Sequence, residues 1–225
     1  MNKDQVMELE DLRLAVYGSF AATGQAPTTA MLAAQLGTDD AEVKSGLEML
    51  AHNRHLVLGD DDHIVMAHPF SAAPLGFSVM GTATLWWGGC AWDSFALPHL
   101  VHEPEPMLVA TRCAACDAPH AWNVGREQPP AGNEVAHFLV PVAYMWDYVV
   151  HTCGNQRIFC STTCIDSWLE RTRQSRGYVM DLATLWRFAR HWYDGRLDYG
   201  YVRREPVAAA DYFRSVGLVG SFWGL

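Results

Sequence analysis

Apolar residues recur at helical spacing at both ends of the chain, whereas the middle of the chain breaks into short strand-like runs. The first helical segment carries apolar residues three or four positions apart: Val6, Leu9, Leu12, Val16 and Phe20. This spacing predicts one buried helix face. Two further helices have candidate N-caps, Thr28 or Thr29 for the first and Asp39 for the second. Side chains of these types accept hydrogen bonds from the first free backbone N–H groups of a helix.

Two short apolar runs follow these helices. They are His55–Leu58 and His63–Met66, and a Gly-Asp-Asp-Asp turn joins them. Two such runs with a short polar connection predict a β-hairpin. Three helices and a hairpin are typical of a winged-helix unit, which we assign to residues 1–67.

The region from Pro69 to about Ile158 is rich in Gly, Pro, Val and Trp, and it predicts short strands with irregular loops. The predicted strands are Phe77–Met80, Thr82–Trp87, Met107–Thr111, His120–Val124 and Glu134–Val140. From Ile165 onward the spacing is helical again. We therefore predict an α+β protein. Its winged-helix-like unit of three helices (1–67) precedes a mixed strand-and-helix catalytic domain with a C-terminal helical extension (68–225).

The composition excludes two classes of protein. Half of the 225 residues are hydrophobic, which is too much apolar surface for a disordered chain. The net charge is −9. Within residues 1–67, four Lys and Arg stand against eleven Asp and Glu. A recognition helix in so acidic a unit would repel phosphates, so we do not expect DNA as a partner.

No membrane or export signal is expected. Residues 1–13 are polar and acidic where a signal peptide is basic and then apolar. No run of eighteen apolar residues occurs, so we expect no membrane association. These features predict a cytoplasmic protein, a compartment in which cysteines are thiols or metal ligands rather than disulfides.

The first candidate site is the sequence Gly-Gly-Cys-Ala-Trp-Asp at residues 88–93. Paired glycines permit a tight turn, and we expect a short helix over about Cys90 to Ala96, because Pro98 disfavours helix at the preceding residue. A cysteine in the first turn of a helix is stabilised as a thiolate by free backbone N–H groups. Asp93 shares a helix face with Cys90. We expect Trp86, Trp87, Trp92 and Phe95 to surround this pair with apolar surface. Such surroundings would raise the pKa of the Asp93 carboxyl.

The second candidate site is Phe-Cys-Ser-Thr-Thr-Cys at residues 159–164. A strand ending at Phe159 would deliver Cys160 to the start of another helix. Two thiolates at two helix N-termini can hold a soft, two-coordinate metal ion.

These motifs resemble those of the organomercurial (alkylmercury) lyases. The segments Cys90-Ala-Trp-Asp93, Arg112-Cys113 and Phe159-Cys160 occur in the order and approximate spacing of that family, behind a similar three-helix unit. The resemblance covers most of residues 5–175. It implies protonolysis of a carbon–mercury bond, which yields a hydrocarbon and Hg(II) bound by two cysteines.

The resemblance also implies roles for particular residues. Carried over by motif, the catalytic residues are Cys90, Asp93 and Cys160. Cys160 attacks mercury first, Cys90 is the second mercury ligand, and Asp93 relays the proton and is a further candidate mercury contact. No organic cofactor is implied. The substrate is a small organomercury compound, and low-molecular-weight thiols or a mercuric reductase accept the Hg(II).

The remaining cysteines leave an alternative open. Cys113, Cys116, Cys160 and Cys164 have the spacing of a treble-clef-like four-cysteine zinc site, which would make the chain a non-enzymatic metal-binding protein. The two interpretations compete for Cys160. In the lyase family, the residue matching Cys113 is structural. Cys116, Cys153 and Cys164 are then either thiols that pass on Hg(II) or small buried residues.

Overall fold

The computed structural model describes residues 7–225, so Val6, which the sequence assigns to the first helix, lies outside the described residues. Within them, the α-helices are α1 (Leu9–Thr23), α2 (Thr29–Leu36), α3 (Asp40–His52), α4 (Ala91–Leu100), α5 (Val149–Gly154), α6 (Thr162–Thr172), α7 (Leu182–Arg190) and α8 (Pro206–Ser215). Two 3₁₀ turns, Val142–Tyr144 and Ser221–Trp223, complete the helical elements.

In the part of the chain that the structure describes, ten strands form two sheets. The strands are β1 (Val57–Leu58), β2 (Ile64–Ala67), β3 (Phe70–Ser71), β4 (Phe77–Met80), β5 (Leu85–Gly88), β6 (Met107–Arg112), β7 (Pro119–Val124), β8 (Val135–Phe138), β9 (Gln156–Phe159) and β10 (Tyr178–Asp181). The larger sheet has the antiparallel order β1-β2-β3-β5-β4-β6-β7, and the smaller has the order β10-β8-β9. The predicted α+β class is confirmed.

The N-terminal unit has the predicted order of three helices and a hairpin. Thr28 and Asp39 cap α2 and α3 by accepting hydrogen bonds from backbone N–H groups. The hairpin strand β2 continues the sheet by pairing with β3, Met66 opposite Ser71. The sheet therefore crosses residue 67, and the domain boundary there stays a prediction.

The helix α4 lies at the centre of the fold, where it packs against α7, β4 and β5. It is longer than the sequence predicts, because it continues through Pro98 to Leu100. A proline near the end of a helix removes a single backbone hydrogen bond, and Leu97 and Pro98 are both buried. Burial of this last turn therefore outweighs the local preference of Leu97, the residue before the proline, for a non-helical backbone.

The short helix α5 was not predicted from the sequence. It has six residues and directly precedes β9, whereas α6 directly follows that strand. The two helices therefore lie at opposite ends of β9. Among residues 7–225, no helix is both long and apolar enough to span a membrane.

Candidate active site

A cavity of about 460 Å³ lies between the start of α4, the helix α5 and the C-terminal segment. Three potentially reactive side chains line it: Cys90, Asp93 and Cys153. The lining also includes Trp192, Tyr193, Arg196, Phe213 and Trp223 from the C-terminal segment (residues 176–225). The C-terminal segment therefore forms part of the cavity wall.

The Cys90 side chain caps α4. Its sulfur accepts a hydrogen bond from the backbone N–H of Asp93 at 3.4 Å, and its thiol donates to Oδ2 of Asp93 at 3.2 Å. Both side chains are 1% exposed. The predicted proximity of this thiol and this carboxyl on the first turn of a helix is confirmed.

Gly88 and Gly89, which precede Cys90, are not needed for the conformational freedom of a tight turn. Neither has a positive φ angle. Instead, a Cβ on Gly89 would lie 2.4 Å from Oδ2 of Asp93, and a Cβ on Gly88 would lie 2.0 Å from Oγ of Ser94. The glycines therefore provide the space in which the first turn of α4 and its carboxylate pack against β5.

The second thiol in this cavity belongs to Cys153, on α5. Its sulfur lies 3.4 Å from Nε2 of His68, and the same nitrogen lies 3.9 Å from Oδ2 of Asp93. The ligand atoms of these three residues all lie within 4.8 Å of one another. His68 is held in place through its backbone, because Nε of Arg196 donates to its carbonyl oxygen at 3.2 Å.

The Asp93 carboxyl is shared between two partners. Burial raises its pKa, although the His68 charge and hydrogen bonds from Tyr193 and Cys90 act in the opposite direction. The Tyr193 hydroxyl donates to Oδ1 at 2.6 Å, which leaves Oδ2 directed at the Cys90 thiol. A raised pKa is what we expect of a carboxyl that accepts a proton and then passes it on.

The pKa values of the two thiols shift in opposite directions. The proximity of the Cys90 side chain lowers the pKa of Cys153 to about 7 against the effect of burial, and the charge of His68 adds to this. Burial and the proximity of Cys153 and Asp93 raise the pKa of Cys90 well above its usual range. The pKa directions therefore do not favour the thiolate expected at Cys90, because burial there outweighs the backbone N–H groups; of the two thiols, Cys153 has the lower pKa.

The expected pairing of Cys90 with Cys160 is not seen in this cavity. Cys160 is not among the residues that line the cavity. Its sulfur lies 3.5 Å from that of Cys116 and 3.5 Å from Nε2 of His120. The physical reason is the direction of β9: Cys153 lies before this strand and Cys160 after it, so the two thiols are carried to opposite ends.

Cys160 belongs to a second group of thiols. The sulfur atoms of Cys113, Cys116, Cys160 and Cys164 all lie within 4.8 Å of one another. Burial and hydrogen bonds with Cys116 and Cys113 raise the pKa of Cys160 to about 12.

The aromatic wall differs in part from the one expected from the sequence. Trp92 lines the cavity and stacks on Phe188, with ring centroids 3.9 Å apart. Trp86, Trp87 and Phe95 are not among the lining residues. The other aromatic rings of the wall are those of Trp146 and of the C-terminal segment.

Sequence reasoning missed His68, Tyr193 and Arg196 as site residues, and it considered Cys153 only as a thiol that passes on Hg(II) or as a small buried residue. None stands within a recognisable motif, and they lie up to 128 positions apart along the chain, as do Arg196 and His68. The one available signal was that Cys153, like Cys160, lies close to a strand–helix junction.

Comparisons with known proteins identify the family of this fold and site. The family model for alkylmercury lyase (MerB) matches residues 70–194, which is more than half of the chain. A search of curated proteins found no match. The fold is similar to the crystal structure of the mercury-bound form of MerB2, with a TM-score of 0.61 and 20% sequence identity over 85% of this chain and 99% of that chain. The chain therefore belongs to the alkylmercury lyase family, whose enzymes break carbon–mercury bonds.

Proposed function

We propose that this alkylmercury lyase performs its reaction with Cys153, Cys90 and Asp93. The observation that supports this most directly is that two buried sulfurs lie beside one buried carboxyl: the Cys90 thiol donates to Oδ2 of Asp93 at 3.2 Å, and His68 Nε2 lies 3.4 Å from the Cys153 sulfur and 3.9 Å from the same Oδ2. In agreement with this arrangement, the pKa of Cys153 is lowered and that of Cys90 is raised. One sulfur is ready to bind mercury, and the other still holds a proton. Protonolysis requires both, because a carbanion is too poor a leaving group to depart without a proton.

In the first step, Cys153 binds the substrate. Its thiolate is stabilised by His68, and a thiolate is the softest ligand that a protein offers to a soft metal ion. The Cys153 sulfur displaces the weakly bound counter-ligand of the organomercurial. The product of this step is a complex in which mercury bridges the Cys153 sulfur and the organic carbon.

Cleavage then uses the proton of Cys90. The Asp93 carboxylate takes this proton across the 3.2 Å contact with Cys90, and the freed Cys90 sulfur binds mercury. The carboxyl next delivers the proton to the carbon atom as the carbon–mercury bond breaks, with that bond's electron pair going to the new C–H bond. The thiol proton of Cys90 thus ends on the hydrocarbon, and Hg(II) remains on two thiolates, with Asp93 as a further contact.

The Asp93 carboxyl needs a fixed orientation for this relay. Tyr193 holds Oδ1, so Oδ2 alone faces the sulfur and the reacting carbon. Proton transfer by a positioned group contributes about 10²–10⁴-fold to a rate. Burial of all three reacting side chains excludes water, which would otherwise compete with the carbon atom for the proton.

The organic group of the substrate would pack on the aromatic wall. Trp92, Trp192 and Phe213 supply flat apolar surface on one side of the cavity. Such a wall suits alkyl and aryl groups without selecting one by hydrogen bonding. We therefore infer that both methylmercury and phenylmercury are substrates.

Release of Hg(II) requires a competing thiol, because two thiolates hold it tightly. We infer that low-molecular-weight thiols, or a mercuric reductase, accept the ion. Both acceptors work in a reducing compartment, and all six cysteines of the chain are free thiols, so we place the reaction in the cytoplasm.

The test is hydrocarbon evolution from methylmercury or phenylmercury with a monothiol in excess. Methane or benzene should form with the native chain and with His191→Gln, whose exposed side chain lies outside the cavity. It should fall to background with Cys153→Ser. If Cys153→Ser keeps full turnover, the assignment of the first mercury ligand is incorrect.

A further inference from the structure

Four cysteine sulfurs meet at a place that the lyase reaction does not use. Cys113 and Cys116 lie on the turn between β6 and β7, and Cys160 and Cys164 lie at the start of α6. Their sulfur atoms are all within 4.8 Å of one another, although Cys116 is exposed. None of the four lines the cavity that holds Cys90.

We propose that these four cysteines bind one structural Zn²⁺ ion, so that the enzyme carries a zinc centre separate from its mercury site. The zinc site and the lyase activity, which the sequence presented as alternatives because both needed Cys160, can then occur in the same protein. Cys160 belongs to the zinc site, and Cys153 takes the place beside Cys90.

The spacing of the sulfur atoms fits a single tetrahedral ion. A Zn–S bond of about 2.3 Å in a tetrahedron requires sulfurs about 3.8 Å apart. Cys116 and Cys160 are 3.5 Å apart, and the whole group lies within 4.8 Å. A cluster of several iron ions needs more widely separated cysteines, because bridging sulfides and metal ions lie between them. The group is therefore sized for one metal ion.

The local backbone also has the form of a zinc site. Two residues separate Cys113 from Cys116, and three separate Cys160 from Cys164, within the range of zinc-ligand spacings. The turn is closed by hydrogen bonds between Cys113 N–H and Ala118 O and between Asp117 N–H and Cys113 O, each 2.9 Å. Arg171 on α6 donates to the carbonyls of Ala114 and Ala115 at 2.7 and 3.1 Å. The two cysteine pairs are therefore held facing each other.

If the four thiols ionise, a cation is needed to balance their negative charge. Four thiolates at such distances would repel one another strongly. Nearby positive charge comes from Arg171 and, when protonated, from His120, whose Nε2 contacts Cys160 at 3.5 Å while its Nδ1 lies 3.5 Å from Glu134. A divalent ion neutralises two of the four thiolate charges. Polar partners around the sulfurs are the usual surroundings of a protein metal site.

The position of the group explains what the ion stabilises. The apolar cluster around it has only five buried members: Cys113, Phe159, Ile165, Trp168 and Leu169. So small a core supplies little stability, and a structural metal is a common supplement in such cases. The proposed ion joins the β6–β7 turn of the larger sheet to the β9–α6 junction beside the smaller sheet.

The test measures metal in the full-length chain before any exposure to mercury. Protein from cells grown with zinc, iron and copper in the medium should contain one zinc per chain by mass spectrometry. X-ray absorption should show four sulfur neighbours at about 2.3 Å. Iron or copper in place of zinc, or a metal-free folded chain, overturns the proposal.

Matched cysteine variants locate the ion. Cys116→Ser alters the exposed ligand and should lose most of the bound zinc or replace one sulfur neighbour with oxygen. Cys153→Ser, outside the group, should keep one zinc with four sulfur neighbours. Loss of zinc from Cys153→Ser and not from Cys116→Ser would place the ion in the active-site cavity and refute the proposal. The result is independent of hydrocarbon release, so failure of either proposal leaves the other intact.

Discussion

The hydroxyl of Tyr193 donates a 2.6 Å hydrogen bond to Oδ1 of Asp93, a residue 100 positions earlier in the chain. Both side chains are buried. The contact connects the C-terminal segment to the first turn of α4, and it assigns the two oxygens of one carboxylate to different partners. Loss of the tyrosine would therefore change the proton relay without removing either thiol.

Tyr193→Phe tests this positioning role. Because the hydrogen bond from Tyr193 lowers the pKa of Asp93 against the effect of burial, its loss should raise that pKa further. Asp93 must be a carboxylate to accept the Cys90 proton, so the acid limb of the single-turnover rate should move to higher pH. The rate at neutral pH should fall roughly tenfold, as for one lost hydrogen bond. A lower rate with an unmoved pH profile would indicate a merely structural role.

Asp93→Asn removes the proton relay and leaves both thiols in place. Organomercury binding should persist, while hydrocarbon release should fall by at least about 100-fold. The measurement pairs mercury bound per chain with hydrocarbon formed in a single turnover. Asp117→Asn, a change at an exposed turn residue, is the control and should release hydrocarbon at the native rate. Full release from Asp93→Asn would rule out the relay.

Cys153→Ser and Cys160→Ser separate the two groups of thiols. The first variant should lose substrate capture, because the thiolate with the lowered pKa is absent. The second should still capture and cleave substrate, but it should melt at a lower temperature, because the thiol group at the start of α6 is broken. Stopped-flow binding and thermal melting distinguish these outcomes. The opposite pattern would restore Cys160 as the nucleophile.

His68→Gln should alter the pH at which the substrate is captured. In the native chain, capture should weaken as the pH falls through about 7, where Cys153 gains its proton. The charge of His68 helps to lower that pKa, so its removal should move the midpoint to higher pH. Capture rates measured between pH 5 and 9 would show the shift. His191→Gln, a change at an exposed histidine paired with Asp194, should leave the midpoint where it is.

Gly89→Ala should displace the carboxylate of Asp93. The added Cβ would lie 2.4 Å from Oδ2 of Asp93 and 2.5 Å from Cε of Met66, so those groups must shift. We expect slower hydrocarbon release with nearly normal capture by Cys153. Gly18→Ala is the control, since its Cβ meets nothing within 4 Å and alanine favours a helix over glycine by about 1 kcal/mol. Equal rates for the two variants would show that close approach at Gly89 is unimportant.

The sequence by itself determined many of the helices and strands and one half of the candidate site. The spacing of apolar residues predicted strand β4 with its observed bounds and the three N-terminal helices with their Thr28 and Asp39 caps, because these signals are local. The pair Cys90 and Asp93 was also predictable, since three residues on a helix bring two side chains together.

Only the tertiary structure decided which second thiol joins that pair. Cys153 and Cys160 both lie beside β9, and nothing in the local sequence shows which end of that strand faces the cavity. The packing of the two sheets and of the C-terminal segment settles it, and it also brings His68, Tyr193 and Arg196 to the site. The direction of the thiol pKa shifts was likewise unavailable from the sequence. It depends on how deeply each sulfur is buried and on which charges lie within a few ångströms.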